Sequence, residues 1–301
     1  MKFLVLGILG QDGKILSRLS KKHKIELFGI THRIENLNKN LYYWDSSSKM
    51  INSIINEVSP DVIVNLSAVH ASSQVKFHNY ETMYATNTLN VLTILEEIKN
   101  NFPKILYVNS LSSHMYLEKN KIVINEETKI SPRNFYGLTK YHALNISEYY
   151  EDQFGLKVLN LIMFNHESEF RKEEFITKKI SIFLKNAYKG KETVISVNNA
   201  FKAEDFSDAY DFMEALIHLC KNNKTGRYVL SSNELNTIHD LIVITGEKFG
   251  IENITVKSNE KNKQTSIYGS NKKLLSTGFR FKSNIYEALK RMVLDSINNE
   301  K

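Results

Sequence analysis

The chain opens with FLVLGILGQDG, residues 3–13, and this stretch decides the fold. A short apolar run predicts a buried strand, and a helical pattern follows it through Leu19. Between the two, glycine recurs at every third position. Glycine permits a tight turn and a close approach of the backbone to a pyrophosphate, which the N-terminus of the following helix then faces. The residues expected to bind a dinucleotide here are Gly7, Gly10, Gln11, Asp12 and Gly13.

The chain up to about residue 164 alternates strand and helix signals. Apolar runs predict further strands at residues 25–31, 62–66, 105–108 and 158–163. Helical periodicity occupies residues 82–98 and 135–154. Alternating strands and helices joined by right-handed crossovers form a doubly wound parallel sheet. We therefore expect an α/β protein whose residues 1–164 form a Rossmann dinucleotide-binding and catalytic domain.

The pattern changes after residue 164. Short strand signals at residues 193–197 and 226–230 mix with helical signals at 206–220, 237–249 and 285–296. This mixture predicts a smaller α/β substrate-binding lid over residues 165–301. We expect it to be interleaved with the Rossmann domain, with some segments returning to the first domain.

Composition excludes several classes of protein. The formal net charge is +7, but the lysines are scattered rather than arranged in a basic stripe, so no nucleic-acid partner is expected. No apolar run approaches the ~20 residues of a membrane span. The single cysteine, Cys220, ends an apolar helical stretch, which predicts a buried thiol. These features predict a cytoplasmic enzyme without an internal disulfide or a metal site.

Three residues form a candidate catalytic group. Tyr136 and Lys140 are four positions apart in the predicted helix, so both side chains project from one face. Ser112 follows the strand signal at residues 105–108. A free tyrosine, with a pKa near 10, is a poor base at neutral pH, and a nearby ammonium favours the phenolate. Tyr136 can then exchange a proton with a sugar hydroxyl or ketone.

Together these motifs resemble the extended short-chain dehydrogenases/reductases, and in particular the GDP-mannose 4,6-dehydratase family. The resemblance rests on the glycine turn, the Ser–Tyr–Lys order, and the stretches FNHES (164–168) and FITKKI (175–180). It implies redox chemistry on a nucleotide-activated sugar. Ser112 would then hold the oxygen that Tyr136 protonates, and Ser113 would contact the sugar.

The second strand ends at residue 31 without the acidic residue that binds the ribose of NAD. Arg33 stands there instead, and a guanidinium pairs well with a 2′-phosphate. The family resemblance also implies NADP, so we expect NADP(H), with NAD(H) left open. By the same resemblance Asp45 would meet the adenine. Leu66, Ser67 and Ala68 would line the nicotinamide ribose.

One position departs from the dehydratase pattern. Those enzymes carry Thr-Ser-Glu after the fourth strand, and the glutamate removes the C5 proton during elimination of water. Here the aligned residues are Ser112, Ser113 and His114, and no one-residue slip supplies a carboxylate. His114 could still act as a base. We therefore expect elimination to be lost and redox at C4 to be retained.

The resemblance also assigns a substrate side. Asn165 would contact the nucleotide, and Ile176, Thr177 and Lys178 would shape the GDP-sugar pocket. Glu204 occupies the position of a family arginine that binds the diphosphate, and a second such arginine has no counterpart in residues 259–266. Replacement cations for the diphosphate are Lys178, Lys202 and Lys261. The family's loop contacts between subunits imply a homodimer or homotetramer.

Four functions remain open at this point. The first is an NADP(H)-dependent reductase of a 4-keto-6-deoxy hexose or heptose, supplying a surface polysaccharide of capsule or lipopolysaccharide type. The second is a C4 dehydrogenase of an intact GDP-sugar such as GDP-manno-heptose. The third is a divergent dehydratase that uses His114, and the fourth is a non-catalytic NADP-binding protein.

Overall fold

The buried apolar runs become the strands of a central sheet. The computed structural model describes residues 1–35, 37–70, 79–116, 122–260 and 267–299. Its strands are β1 (Lys2–Leu6), β2 (Glu26–Thr31), β3 (Leu41–Tyr43), β4 (Val62–Asn65), β5 (Leu106–Ser112), β6 (Val123–Ile124), β7 (Lys157–Met163), β8 (Asn165–Glu167), β9 (Val194–Val197), β10 (Ala203–Glu204), β11 (Phe206–Asp208), β12 (Gly226–Leu230), β13 (Asn236–Thr237), β14 (Thr255–Ser258) and β15 (Tyr268–Gly269).

Helices connect most of these strands. They are α1 (Gln11–His23), α2 (Ser48–Val58), α3 (Tyr80–Tyr84), α4 (Asn90–Asn101), α5 (Phe135–Phe154), α6 (Ile176–Tyr188), α7 (Ala209–Lys221), α8 (Ile238–Glu247), α9 (Lys272–Ser276) and α10 (Ile285–Asn298). A π turn, Ala85–Leu89, joins α3 to α4, and a 3₁₀ turn, Ser113–Met115, follows β5.

The central sheet has the strand order β12-β7-β5-β4-β1-β2-β3. The pairings from β7 through to β3 are parallel. Strand order reverses at β1, since β2 and β3 lie on one side of it and β4, β5 and β7 on the other. This is a doubly wound Rossmann sheet, as predicted. A crevice for a ligand lies where the order reverses, at the carboxyl ends of β1 and β4.

The chain divides into two compact units. The first comprises Met1–Leu117, Lys129–Met163 and Met213–Tyr228, and the second Glu118–Thr128, Phe164–Phe212 and Val229–Lys301, counted over the described residues. The core of the second unit is built from the apolar faces of α6, α8 and α10. Its strands form short two-stranded pairs, among them β11 with β8 and β14 with β9.

Two predicted helices differ from the structure. The helix expected over 206–220 begins only at residue 209, because residues 206–208 pair in parallel with β8. Asp208 favours this boundary, since its carboxylate accepts a hydrogen bond from the Tyr210 N–H at 3.0 Å. The helix expected over 82–98 is interrupted by the π turn. Strand β3 was not predicted, because three half-buried residues give too short a pattern.

Asp205 joins three segments of the second unit. Its buried carboxylate accepts hydrogen bonds from the Ser231 hydroxyl, the Ser232 N–H and hydroxyl, and the Gly269 N–H. Burial raises the pKa of this carboxyl, although these hydrogen bonds oppose the shift. The carboxylate therefore fixes the loop after β12 and strand β15 relative to β11.

Substitution of Asp205 by alanine will destabilise the protein by about 3 kcal/mol, because several buried donors lose their acceptor. Urea unfolding measures the loss. Asp295→Ala serves as the matched control. Its carboxylate is partly exposed and lies 3.9 Å from the Lys178 ammonium, so the expected change is within about 0.5 kcal/mol. Equal losses in the two variants would show that Asp205 does not join these segments.

Candidate active site

The glycine turn after β1 has the shape that a pyrophosphate requires. Gly7 has a φ of +79°, and a Cβ there would lie 2.8 Å from the Leu66 carbonyl carbon. A Cβ on Gly13 would lie 2.4 Å from the backbone of Ile8. Neither position accepts a side chain without a shift of the backbone. Gly10 lies directly before α1, so the N-terminus of that helix opens at the turn.

The end of β4 lies beside this turn. The Leu66 N–H donates to the Leu6 carbonyl at 3.0 Å, which continues the parallel ladder past β4. Ser67 donates its hydroxyl to the Asn65 side chain at 2.6 Å, and the exposed Ala68 follows. These three residues therefore line the crevice where strand order reverses. Their contact with a nicotinamide ribose stays a prediction.

The residues assigned to the adenine end lie after β2 and β3. The Arg33 side chain is exposed. The backbone N–H of Arg33 donates to the Thr31 hydroxyl at 3.1 Å. Asp45 accepts from the Ser47 N–H at 2.9 Å, and hydrogen bonds from Ser47 lower the pKa of its exposed carboxyl. Gln11 and Asp12 start α1 and contact each other. Contact of Arg33 and Asp45 with the adenine end of a dinucleotide stays a prediction.

The Ser112, Tyr136 and Lys140 side chains all belong to the first unit. Ser112 ends β5, and the other two lie one turn apart on α5. Lys140 is 3% exposed, and its ammonium donates to the Ser110 carbonyl at 2.8 Å. Burial lowers the pKa of Lys140 to about 8. A lysine that is charged near neutral pH but easily deprotonated therefore lies on the helix that carries Tyr136.

Two imidazoles surround the Tyr136 ring. The His70 ring centroid lies 4.5 Å from that of Tyr136, and the His114 centroid lies 5.7 Å from it. The two imidazoles are 5.8 Å apart, edge to face. The backbone N–H of His114 donates to the Ser112 hydroxyl oxygen at 3.2 Å, and Ser113 between them is buried. The strand end that carries the serine thus also places His114 at the tyrosine.

Helix α5 packs closely against this strand end. A Cβ on Gly137 would lie 2.1 Å from the His114 carbonyl oxygen, so only glycine fits there. Asn134 caps the helix, because its Oδ1 accepts from the Gly137 N–H at 2.7 Å. The Asn134 Nδ2 lies 3.2 Å from the His114 Nδ1. One asparagine therefore contacts both the start of α5 and the His114 ring.

A second asparagine, Asn87 in the π turn, fixes the loop that carries His70. Its Oδ1 accepts from the Val69 N–H at 2.9 Å, and its Nδ2 donates to the Val69 carbonyl at 3.0 Å. The same Nδ2 donates to the Thr139 hydroxyl at 3.0 Å, which in turn donates to the Tyr136 carbonyl. Asn87 thereby links the His70 loop to α5. π turns often occur at functional sites.

His70, Asn87 and Asn134 were not predicted from the sequence. Asn134 had a usable signal, because an asparagine directly before a helical pattern is a preferred N-cap. His70 and Asn87 had none. Their partners lie across the fold, so no local spacing identifies them.

In the second unit, Asn165 contacts an ion pair. Its Nδ2 donates to Glu204 at 2.9 Å, and the Lys202 ammonium lies 2.6 Å from the other carboxylate oxygen of Glu204. The negative charge of Glu204 is thus neutralised locally. Lys261 lies outside the described residues.

The other three predicted substrate residues begin α6. Ile176 packs against the core of the second unit. Thr177 is buried and donates its hydroxyl to Glu167 at 2.5 Å. The Lys178 ammonium lies 3.9 Å from Asp295. The side chains of Ile176 and Thr177 therefore support the local structure, and substrate contact by this segment stays a prediction.

Within the described ranges, no group of three or more histidine, cysteine, aspartate or glutamate side chains is arranged to bind a metal ion. No helix in those ranges has the length and apolar character needed to cross a bilayer.

Comparison with known proteins identifies relatives over most of the chain. The family model described as GDP-mannose 4,6 dehydratase matches residues 4–285. The GDP-mannose 4,6 dehydratase of Cricetulus griseus is 29% identical over 260 residues, which cover 79% of this chain and 70% of that protein. The GDP-mannose 4,6-dehydratase of Vibrio cholerae serotype O1 is 27% identical over 269 residues, which cover 83% of this chain and 72% of that protein.

Solved structures share the fold. RMD from Pseudomonas aeruginosa, complexed with NADPH, has a TM-score of 0.81 at 18% identity and covers 99% of both chains. The dTDP-glucose 4,6-dehydratase of Bacillus anthracis, in complex with NAD, has a TM-score of 0.82 at 18% identity, covering 100% of this chain and 97% of that one.

The low pKa of Lys140 predicts a pH-dependent stability. The ammonium titrates at about pH 8 in the folded protein and at 10.5 when unfolded, so the unfolded chain binds more protons between these values. Burial of the charge therefore costs stability below pH 8, and the cost disappears as the pH rises to 10.5. Lys140→Met will raise the free energy of unfolding at pH 7, and this advantage will shrink by pH 9.5.

Urea unfolding at the two pH values, without added cofactor, tests this prediction. The exposed Lys104 provides the control variant Lys104→Met, for which no pH-dependent difference is expected. A Lys140→Met advantage that is the same at both pH values would show that the folded protein does not depress this pKa.

Proposed function

Because the chain belongs to the GDP-mannose 4,6-dehydratase family, we propose that it carries out NADP(H)-dependent redox at C4 of a GDP-sugar. The favoured reaction is reduction of a 4-keto-6-deoxy hexose or heptose for a surface polysaccharide. The observation that carries this proposal is the environment of Tyr136. The phenol lies among His70, His114 and the strand end that bears Ser112, and the dehydratase glutamate is replaced by His114.

The residues of the first unit have complementary roles in a ketone reduction. A nicotinamide cofactor bound with its pyrophosphate at the glycine turn would supply the hydride to C4. Tyr136 donates its phenolic proton to the ketone oxygen as that oxygen becomes a hydroxyl. Ser112 holds the same oxygen by a hydrogen bond. The buried Lys140 ammonium stabilises the phenolate that remains.

Elimination of water requires a proton transfer from carbon that redox at C4 does not require. A base must remove the proton on C5, next to the C4 ketone. The imidazole of His114 occupies the sequence position of the carboxylate that performs this step in the dehydratases. A divergent 4,6-dehydratase remains the second candidate, because the matched family model and the curated relatives carry that name.

The second unit provides the proposed nucleotide contacts. Asn165 and Lys178 would bind the GDP portion, and the ion pair of Glu204 with Lys202 limits repulsion of the diphosphate. Ser113 would contact the sugar. We further propose a cytoplasmic homodimer or homotetramer with no nucleic-acid or membrane partner.

The first experiment follows NADPH absorbance at 340 nm with GDP-4-keto-6-deoxy-mannose or its heptose analogue. We expect rapid oxidation of NADPH. Tyr136→Phe will lower kcat about a hundred- to ten-thousandfold, because the proton donor is lost. Tyr149→Phe, on the same helix but with an exposed side chain, will leave kcat unchanged.

Three other results would contradict the reductase assignment. Formation of a 4-keto-6-deoxy product from GDP-mannose and NADP would establish a dehydratase. Reduction of NAD in the presence of an intact GDP-manno-heptose would establish a C4 dehydrogenase. Cofactor binding without turnover of any sugar nucleotide would leave a non-catalytic NADP-binding protein.

Arg33 provides a separate test of cofactor choice. Arg33→Ala will raise the KM for NADPH about tenfold or more, with little effect on NADH, because only NADPH presents a 2′-phosphate to the guanidinium. Arg280→Ala removes the same charge from an exposed site in the second unit and controls for net charge. Equal changes in the two KM values for Arg33→Ala would contradict the NADP preference.

A further inference from the structure

The Asn134 side chain has a fixed orientation. Its Oδ1 accepts the Gly137 N–H at 2.7 Å, and a backbone N–H can only donate. The amide NH₂ group is therefore the part of Asn134 that lies 3.2 Å from the His114 Nδ1. Rotation of the amide would place two donors against each other at the cap. The helix cap thus determines which atom of Asn134 faces the imidazole.

This orientation fixes the tautomer of His114. An amide NH₂ only donates, so the Nδ1 must accept and carries no proton. In a neutral imidazole the proton then resides on Nε2, because the hydrogen bond made by one ring nitrogen sets the state of the other. Protonation of Nδ1 would oppose two donors across 3.2 Å and is disfavoured.

The tautomer decides what His114 can do. An Nε2 that already carries a proton has no lone pair with which to remove a proton from carbon. It can donate a hydrogen bond to oxygen. Within the described ranges, the Tyr136 ring lies 5.7 Å from the His114 ring and the His70 ring lies 5.8 Å from it.

We propose that Asn134 is a positioning residue that holds His114 as the Nε2–H imidazole, so that His114 donates to a sugar oxygen beside Tyr136 and does not act as a base. This rests on the proposed function for the identity of the sugar. It gives a physical reason for reduction without elimination. The same asparagine therefore caps the helix that carries Tyr136 and sets the chemistry of the neighbouring imidazole.

Asn134→Asp inverts the tautomer with the cap preserved. Aspartate is as good an N-cap as asparagine, so one carboxylate oxygen still accepts the Gly137 N–H. The other oxygen can only accept, so it requires a proton on the His114 Nδ1 and leaves the Nε2 as an acceptor. The variant thus converts a donor into a base at one position.

Nitrogen-15 NMR of histidine-labelled protein at pH 8 reports which ring nitrogen carries the proton. His114→Gln assigns the signal among the nine histidines. We expect the proton on Nε2 in the wild type and on Nδ1 in Asn134→Asp. Asn284→Asp makes the same substitution at the N-cap of α10, where the side chain accepts from the Tyr286 and Glu287 N–H groups, and will leave the His114 signal unchanged.

Activity provides the second measurement. Asn134→Asp will lower kcat for reduction of the 4-keto sugar nucleotide about tenfold, since one hydrogen bond to the substrate is lost. In D₂O the variant will incorporate deuterium at the carbon next to the ketone faster than the wild type, because its Nε2 can remove that proton. Asn284→Asp will match the wild type in both assays.

The outcomes separate the proposal from the function on which it rests. A wild-type proton on Nδ1, or a proton that stays on Nε2 in Asn134→Asp, would overturn the proposal. A tautomer switch without any change in kcat would overturn the donor role of His114. If the wild type reduces no 4-keto sugar nucleotide, the proposed function fails. The NMR measurement of the His114 tautomer then tests the role of Asn134 by itself.

Discussion

The close approach of Gly137 to the carbonyl of His114 is the contact on which the candidate site depends. A Cβ at this position would lie 2.1 Å from the carbonyl oxygen, so any other residue would force α5 away from the end of β5. Ser112 ends β5 and His114 lies in the turn after it, whereas Tyr136 and Lys140 lie on α5. The packing of the α5 backbone against the end of β5 therefore sets their relative placement.

Buried polar contacts hold the same helix against the sheet further along. Asn109 on β5 donates to Asn160 on β7 at 3.2 Å, and Ser147 on α5 donates to the same Asn160 oxygen at 2.8 Å. Such groups are costly to bury unless they are paired, so they favour one register of helix on sheet. The Lys140 ammonium, which donates to the backbone of β5, adds a further contact of this kind.

The chemistry of His114 depends on its neighbours. A glutamate needs only to be ionised to act as a base, whereas an imidazole acts as donor or acceptor according to what its other nitrogen contacts. Asn134 supplies that contact. The negative charge of Glu204 is likewise moderated by a nearby residue, Lys202. At both positions, a neighbouring side chain affects the hydrogen bonding or the charge of the residue.

The sequence alone determined the doubly wound sheet, the glycine turn and the Ser112–Tyr136–Lys140 order, because strand periodicity, glycine spacing and an i, i+4 pair are local patterns. It also marked His114 as a departure. Only the tertiary structure brought His70 to Tyr136, linked Asn87 to Thr139 on the same helix and turned Asn134 towards His114. It also assigned residues 206–208 to a strand, through pairing with β8. These features depend on contacts between segments far apart in the chain, and no local spacing encodes them.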